Sequence, residues 1–267
     1  MRRLIRFPCG DAMLSGTIDE GARPIGLLCV TGGSQVCAGP HRMLHHLAVA
    51  VSATGYPVLR YERRGVGDSD GVDPGYRNSG PDLAAAAAAL RMEAPHLSTI
   101  VGFGLCDGAT TLALHGSKAG VAALILANPW LVETAADDLA PAAARAHYRG
   151  RLLSREAWRD VLTGKVDILG AAKSLFGAVA KPADRSLASE VAQRLNAYAG
   201  KLTLILSRGD GTAIAARDCW SDAAFEGVRG EKIVTVETDA HTFARPGDLE
   251  QVQDTILDFM HKLENAA

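Results

Sequence analysis

The chain has 267 residues, of which 48% are hydrophobic and 22% charged, with a formal net charge of −2. This is the composition of a globular protein with ample core, and it gives no electrostatic case for nucleic acid or an anionic membrane as a partner. The five cysteines (Cys9, Cys29, Cys37, Cys106, Cys219) are odd in number and lack C-x-x-C spacing, which argues against a disulfide framework or a zinc knuckle and for a reducing compartment.

The first residues are basic, but Arg6, Pro8 and Asp11 break the apolar run, so no signal-peptide core forms, and no apolar run approaches the length of a membrane span. A cytoplasmic protein without a membrane span is expected. Short strands are predicted at residues 4–7 and 13–18. Residues 25–30 are a continuous apolar run, as in a strand buried on both faces. A helix is predicted over residues 41–53, closed by Gly55, then a strand over 56–61 and a glycine-rich loop. Residues 81–92 form an alanine-rich helix, 98–103 a strand, 107–117 a helix and 121–127 another buried strand.

The alternation stops at Asn128-Pro129-Trp130. Residues 131–199 read as helical and charged. Strands resume at 202–206 and 232–236, and an amphipathic helix over 248–263 closes the chain. The pattern predicts an α/β fold, a doubly wound and mainly parallel sheet, with a core of residues 1–130 and 200–267 and a helical cap insertion of 131–199.

Ligands of such sheets bind beyond the carboxyl ends of the strands. There, Gly104-Leu105-Cys106-Asp107-Gly108 has the spacing of a nucleophile elbow, with a thiol where a hydroxyl usually stands. The flanking glycines leave room for a sharp strand-to-helix turn and close backbone approach. Asp210 follows the strand at 202–206, in Ser207-Arg208-Gly209-Asp210-Gly211, and His241 follows the strand ending near 236.

The roles follow from chemistry. A cysteine attacks as thiolate, His241 accepts its proton, and Asp210 orients and stabilises the imidazolium. The partial positive charge at the N-terminus of the following helix also favours the thiolate. The tetrahedral oxyanion needs donors: the backbone N–H of Asp107 is one, and the second comes from Ser34 or Gly33, with Ser34 ranked first. Trp130, where the chain turns into the insertion, is expected to line the substrate pocket, with a structural role the equal alternative. The side chain of Asp107 receives no role beyond a first-turn carboxylate.

Two patterns are decoys. Gly102-Phe103-Gly104 starts a G-x-G-x-x-G fingerprint, but its sixth position is Asp107 and it does not open the fold. His41, His45 and His46 lack the glutamate of H-E-x-x-H and read as a solvated helix face rather than a zinc site. The chemistry calls for no metal or organic cofactor.

The segment running from Tyr61-Glu62-Arg63-Arg64-Gly65 through Val66-Gly67-Asp68-Ser69 resembles the D-x-R-G-x-G-x-S loop of α/β-hydrolases, with Glu62 in place of the usual Asp. Thr31-Gly32-Gly33-Ser34-Gln35 resembles their oxyanion loop, with Thr31 where His often stands. The order nucleophile, acid, base is also theirs. The resemblance extends over nearly the whole chain. It is closer to the type 1 hydrolases associated with exosortase A systems, which are similar in the Gly-Gly-x-Gln segment, the Arg-Gly-x-Gly-Asp-Ser loop and a cysteine within G-x-C-D-G. That resemblance implies a bacterial cytoplasmic hydrolase linked to exopolysaccharide and sorting loci, without naming a substrate. The cysteine elbow is also similar to dienelactone hydrolases, which lack so large an insertion, and to polyhydroxyalkanoate synthases, which are much longer.

The expected function is cleavage of a small-molecule carboxylic ester or thioester through a cysteinyl acyl-enzyme. Two alternatives stand beside it: an acyltransferase using the same intermediate, and a non-catalytic ligand-binding member of the fold. Oligomeric state is not legible.

Overall fold

The computed structural model describes residues 1–133, 185–228 and 232–266. Among these, eight strands form one sheet in the order β1-β2-β4-β3-β5-β6-β7-β8. They are β1 (Arg2–Cys9), β2 (Ala12–Asp19), β3 (Ile25–Val30), β4 (Val58–Tyr61), β5 (Thr99–Leu105), β6 (Ala123–Ala127), β7 (Lys201–Ser207) and β8 (Lys232–Val236). The hairpin β1–β2 runs antiparallel and joins β4 antiparallel; every pairing from β4 to β8 is parallel.

The helices are α1 (Met43–Ala53), α2 (Gly75–Asn78), α3 (Gly80–Glu93), α4 (Asp107–His115), α5 (Ser186–Asn196), α6 (Gly211–Trp220) and α7 (Asp248–Glu264), with 3-10 turns at Pro40–Arg42 and Ala223–Val228. The apolar strands supply side chains to both faces, because successive residues alternate sides. Leu28 and Val30 of β3 and Leu124 and Leu126 of β6 pack with α3, α4, α5 and α6. Ile25, Leu27 and Cys29 of β3 and Ile125 of β6 pack with α1 and α7. The mainly parallel, doubly wound sheet is therefore present.

The decoy glycines have a steric reason. A Cβ on Gly102 would stand 2.6 Å from Leu112 Cδ2, and one on Gly104 would stand 2.6 Å from the Gly108 carbonyl oxygen. They let α4 lie close on β5. The alanines of α3 act similarly, with Ala86, Ala87 and Ala89 buried against the sheet.

The first helix differs from the expectation. His41 and Arg42 have φ of 37° and 62° and lie in the 3-10 turn, so α1 starts only at Met43. The His41 ring leaves the helix face and meets the Thr242 carbonyl oxygen at 2.9 Å. Helix α6 was not anticipated; the Gly-Asp-Gly sequence before it reads as a turn.

Most of the expected cap, 134–184, lies outside the described residues. Its flanks are visible. Arg77 of α2 binds Glu133 at 2.7 Å and Glu190 of α5 at 2.9 Å, tying together the chain on either side of that block. Helix α5 buries Leu187, Ala188, Val191, Ala192 and Leu195, a spacing that places them on one helical face. Those residues join the α3–α4 core. Leu187→Ala should therefore lower stability by about 3 kcal/mol through lost transfer energy and a residual cavity, read as a lower urea midpoint with unchanged slope.

Candidate active site

In the strand order, β3 has β4 on one side and β5 on the other, so the crossovers leave it in opposite directions and a crevice opens at the carboxyl ends of β3 and β5. The candidate residues gather there. Cys106 follows β5 directly, at the N-cap of α4, with φ 58° and ψ −126°. A non-glycine residue resists that conformation, and such strain concentrates at functional positions. Close packing enforces it. A Cβ on Gly108 would stand 2.6 Å from the carbonyl oxygens of both Val30 and Thr31. The Cys106 N–H donates to the Ala127 carbonyl at 3.0 Å, and its carbonyl accepts from the N–H groups of Ala109 at 3.1 Å and Trp130 at 3.2 Å. The thiol itself is half-buried.

His241 lies in the loop after β8. Its Nδ1 is 3.0 Å from Asp210 Oδ2, and Cys106 lies near enough to act on the charge of its ring. The structure thus brings the three residues into one chain of contacts. Burial alone would depress the imidazole pKa, but hydrogen bonds to Asp210 and Cys106, with the charges on both, raise it to about 10. Asp210 Oδ2 also accepts from the Ala213 N–H at 2.8 Å, which makes this carboxylate the N-cap of α6.

Sequence reasoning missed a second tier. Asn128, fully buried at φ 41°, lies just past β6. Its Oδ1 accepts from the Ser207 N–H at 2.8 Å, while its Nδ2 donates to Ser207 Oγ at 3.0 Å and to the His241 carbonyl at 2.8 Å. Ser207 Oγ in turn donates to the Ala240 carbonyl at 3.1 Å. The loop that carries His241 is therefore fastened to the ends of β6 and β7. The break in periodicity at Asn128-Pro129 was the available signal.

The loop after β3 carries the expected oxyanion donors. The Gly33 N–H donates to Asp107 Oδ1 at 2.6 Å, so it faces the elbow. Ser34 turns its hydroxyl to Asp73 Oδ2 at 2.8 Å. The Gly33 amide is thus engaged by the protein itself, while the Ser34 contact involves only its hydroxyl. Arg63, buried, pairs with Asp73 at 2.7 Å. Glu62, also buried, accepts from the N–H groups of Cys37 at 3.1 Å and Asp68 at 2.8 Å, joining this loop to the glycine-rich loop after β4. Burial pushes the Asp107 carboxyl above the ordinary range, opposed by the N–H groups of Gly33 and Gly108 and the charge of Arg63.

Trp130 has a half-buried indole packed on the α3–α4 core, and its carbonyl accepts from Thr110 Oγ1 at 2.6 Å. The other thiols lie in environments that disfavour ionisation. Burial raises the pKa of Cys9 and Cys37, and takes Cys29 to about 12 and Cys219 to about 11. Among the described residues, no group of three or more His, Cys, Asp and Glu is placed to hold a metal, and no helix is long and apolar enough to cross a membrane.

Comparison with solved structures identifies the architecture as the α/β-hydrolase fold. An esterase from Pyrococcus furiosus superposes with a TM-score of 0.68 at 13% identity, covering 98% of this chain and 92% of that one. A proline iminopeptidase from Mycobacterium smegmatis gives 0.64 at 16% identity, covering 99% of both chains. Est1E of Butyrivibrio proteoclasticus, solved with ferulic acid bound, gives 0.64 at 15% identity, covering 98% of this chain and 100% of that one. No protein-family model matches the chain. No curated protein matches it either.

The charge state of His241 is directly measurable. In an NMR titration its imidazole should titrate near pH 10, and Asp210→Asn should return it toward the ordinary histidine range near 6.5. Because the folded pKa exceeds the unfolded one, the stability from this pairing is complete below about pH 6.5. It is lost as pH rises through about 10.

Proposed function

We propose that the protein hydrolyses small carboxylic esters or thioesters through an acyl-enzyme on Cys106. The observation that carries this reading is the imidazole of His241 paired with Asp210 at 3.0 Å, on the same side as Cys106, which acts on its charge. The esterases among proteins sharing the fold support it in general terms.

With Nδ1 turned to Asp210, Nε2 of His241 takes the thiol proton. The Cys106 sulfur then attacks the acyl carbon, and the carbonyl electrons move onto oxygen. Backbone N–H groups of Asp107 and Ser34 stabilise that oxyanion, with Gly33 the alternative second donor. The intermediate collapses to a thioester, and the departing alkoxide or thiolate takes the proton from His241. Water deprotonated by His241 attacks the thioester, releasing the carboxylic acid and restoring the thiol. The cap expected over residues 131–199 belongs to this reading, with Trp130 at its root lining the pocket; 134–184 lie outside the described residues. The resemblance to exosortase-associated hydrolases supports a cytoplasmic role linked to exopolysaccharide and sorting loci.

The test uses a slow ester and intact-protein mass spectrometry. Wild type should gain the acyl mass on Cys106. Cys106→Ala should show no adduct, and its kcat/KM should fall about a thousandfold or more. An adduct on another residue, or undiminished turnover in that variant, overturns the reading. If an added alcohol or amine speeds deacylation and collects the acyl group, the enzyme is an acyltransferase instead. Iodoacetamide should label Cys106 well before Cys9 or Cys219; equal labelling favours a non-catalytic binder.

A further inference from the structure

The loop after β3 is anchored at two points and open around them. Residues 33–36 are exposed, and a Cβ on Gly33, at φ 59°, would meet nothing within 4 Å. Backbone with that freedom does not hold an amide in place by itself. One anchor is the Asp107 carboxylate, whose Oδ1 accepts the Gly33 N–H at 2.6 Å. The other is Asp73, whose Oδ2 accepts the Ser34 hydroxyl at 2.8 Å. From there to Cys37, where Glu62 and Arg60 take up the chain again, no further hydrogen bond reaches outside the loop among the described residues. The Ser34 N–H belongs to the peptide between the two anchors and meets no acceptor among the described residues.

Asp73 is itself fixed from the sheet side. Arg63, buried after β4, lies 2.7 Å from its Oδ1 through Nε and donates to its Oδ2 from Nη2 at 3.0 Å. This two-pronged contact fixes the plane of the carboxylate as well as its place. The Gly75 N–H adds a bond to Oδ1 at 2.9 Å. A Cβ on Gly65, at φ 72°, would stand 2.3 Å from the Asp73 backbone nitrogen, so the glycine-rich loop closes directly on this residue. Burial works against the charge of Asp73, but the Arg63 guanidinium and the Gly75 and Ser34 donors hold its carboxyl below the ordinary range. It is therefore an ionised acceptor at neutral pH.

An oxyanion donor must lie about 3 Å from where the charge develops, and an error of about 1 Å costs up to about a hundredfold in rate. We propose that Asp73 is a positioning residue of the reaction: held by Arg63, it fixes the loop after β3 through the Ser34 hydroxyl, so that the backbone donor of that loop stands ready for the tetrahedral oxyanion. The proposal rests on Cys106 being the acylated nucleophile. It holds whether Ser34 or Gly33 gives the N–H, because both lie within one residue of the anchor.

The test sets two reactions of Cys106 side by side. Acylation by a p-nitrophenyl ester passes through the oxyanion. Alkylation by iodoacetamide forms the S–C bond as iodide leaves a saturated carbon, and needs no oxyanion donor. Asp73→Asn removes the charge and Ser34→Ala removes only the hydroxyl, and both leave the backbone N–H groups in place. Each variant should acylate about ten- to a hundredfold more slowly than wild type, while alkylation does not fall. In Asp73→Asn alkylation should hold or rise, because losing a negative charge favours the thiolate. Acylation as fast as wild type in both variants overturns the proposal. So does a fall shared by acylation and alkylation, which marks general damage to the site.

Ser34 is exposed, so Ser34→Ala keeps the proposal testable should Asp73→Asn, which leaves the buried Arg63 without its partner, fold poorly. The double variant should acylate little more slowly than Asp73→Asn alone, since both changes cut the same contact. Effects that multiply in full overturn the path through Ser34. Intact mass separates this failure from that of the hydrolase reading. An acyl adduct on Cys106 formed at equal rates in wild type and variants overturns only the role of Asp73, whereas no adduct in wild type overturns the acyl-enzyme itself.

Discussion

Cys106 occupies a backbone conformation, φ 58° and ψ −126°, that an L-residue adopts only when its surroundings leave no alternative. Those surroundings are backbone rather than side chain. Gly104 and Gly108 touch each other across the turn, Gly108 lies against the carbonyls of Val30 and Thr31, and Gly32 closes on Cys106 Cβ. Strain of this kind is worth on the order of 1–3 kcal/mol and is offset by the packing of β3, β5 and α4. Relaxing it would turn the sulfur back into the sheet. Holding it lifts the sulfur to the rim and aims the first turn of α4 at it.

The rest of the site is an account of how a parallel sheet delivers groups to one edge. Each strand from β3 to β8 ends on the same side, and each contributes one part: Gly33 after β3, Arg63 after β4, Cys106 after β5, Asn128 after β6, Asp210 after β7, His241 after β8. Loops of this length would wander if left alone. Asn128 and Ser207 prevent that for the His241 loop by satisfying its carbonyls from two neighbouring strand ends. Glu62 does the same for the loops after β3 and β4, and a Cβ on Gly67 would stand 2.2 Å from its Oε2, so only glycine fits beside it.

What could be read from the sequence is what depends on local sterics. The elbow was legible because a sharp strand-to-helix turn demands small residues two positions to either side of Cys106. The strands from 25–30 onward were legible because doubly covered strands are continuously apolar. The order Cys106, Asp210, His241 could be placed because each follows such a run. Groups that meet only through the fold were not legible. Nothing in Asn128-Pro129 indicates that the amide spans to Ser207 and residue 241. The contact of the Gly33 amide with Asp107, 74 residues apart in sequence, was not legible either. His41 was assigned to a helix because its spacing to His45 fits one, yet the backbone turns left-handed there and sends the ring to Thr242.

Two carboxylates stand at helix N-termini in this site, and their different surroundings give them different chemistry. Asp210 caps α6 through the Ala213 N–H and spends the same oxygen on the imidazole of His241. In the proposed reaction it fixes the orientation of the imidazole. Asp107 lies half-buried in the first turn of α4, with the amides of Gly33 and Gly108 for partners and the charge of Arg63 acting on it. Burial works against its charge, and those amides and Arg63 oppose that effect. The first acid thus ties the His241 loop to the start of α6, and the second ties the loop after β3 to the elbow.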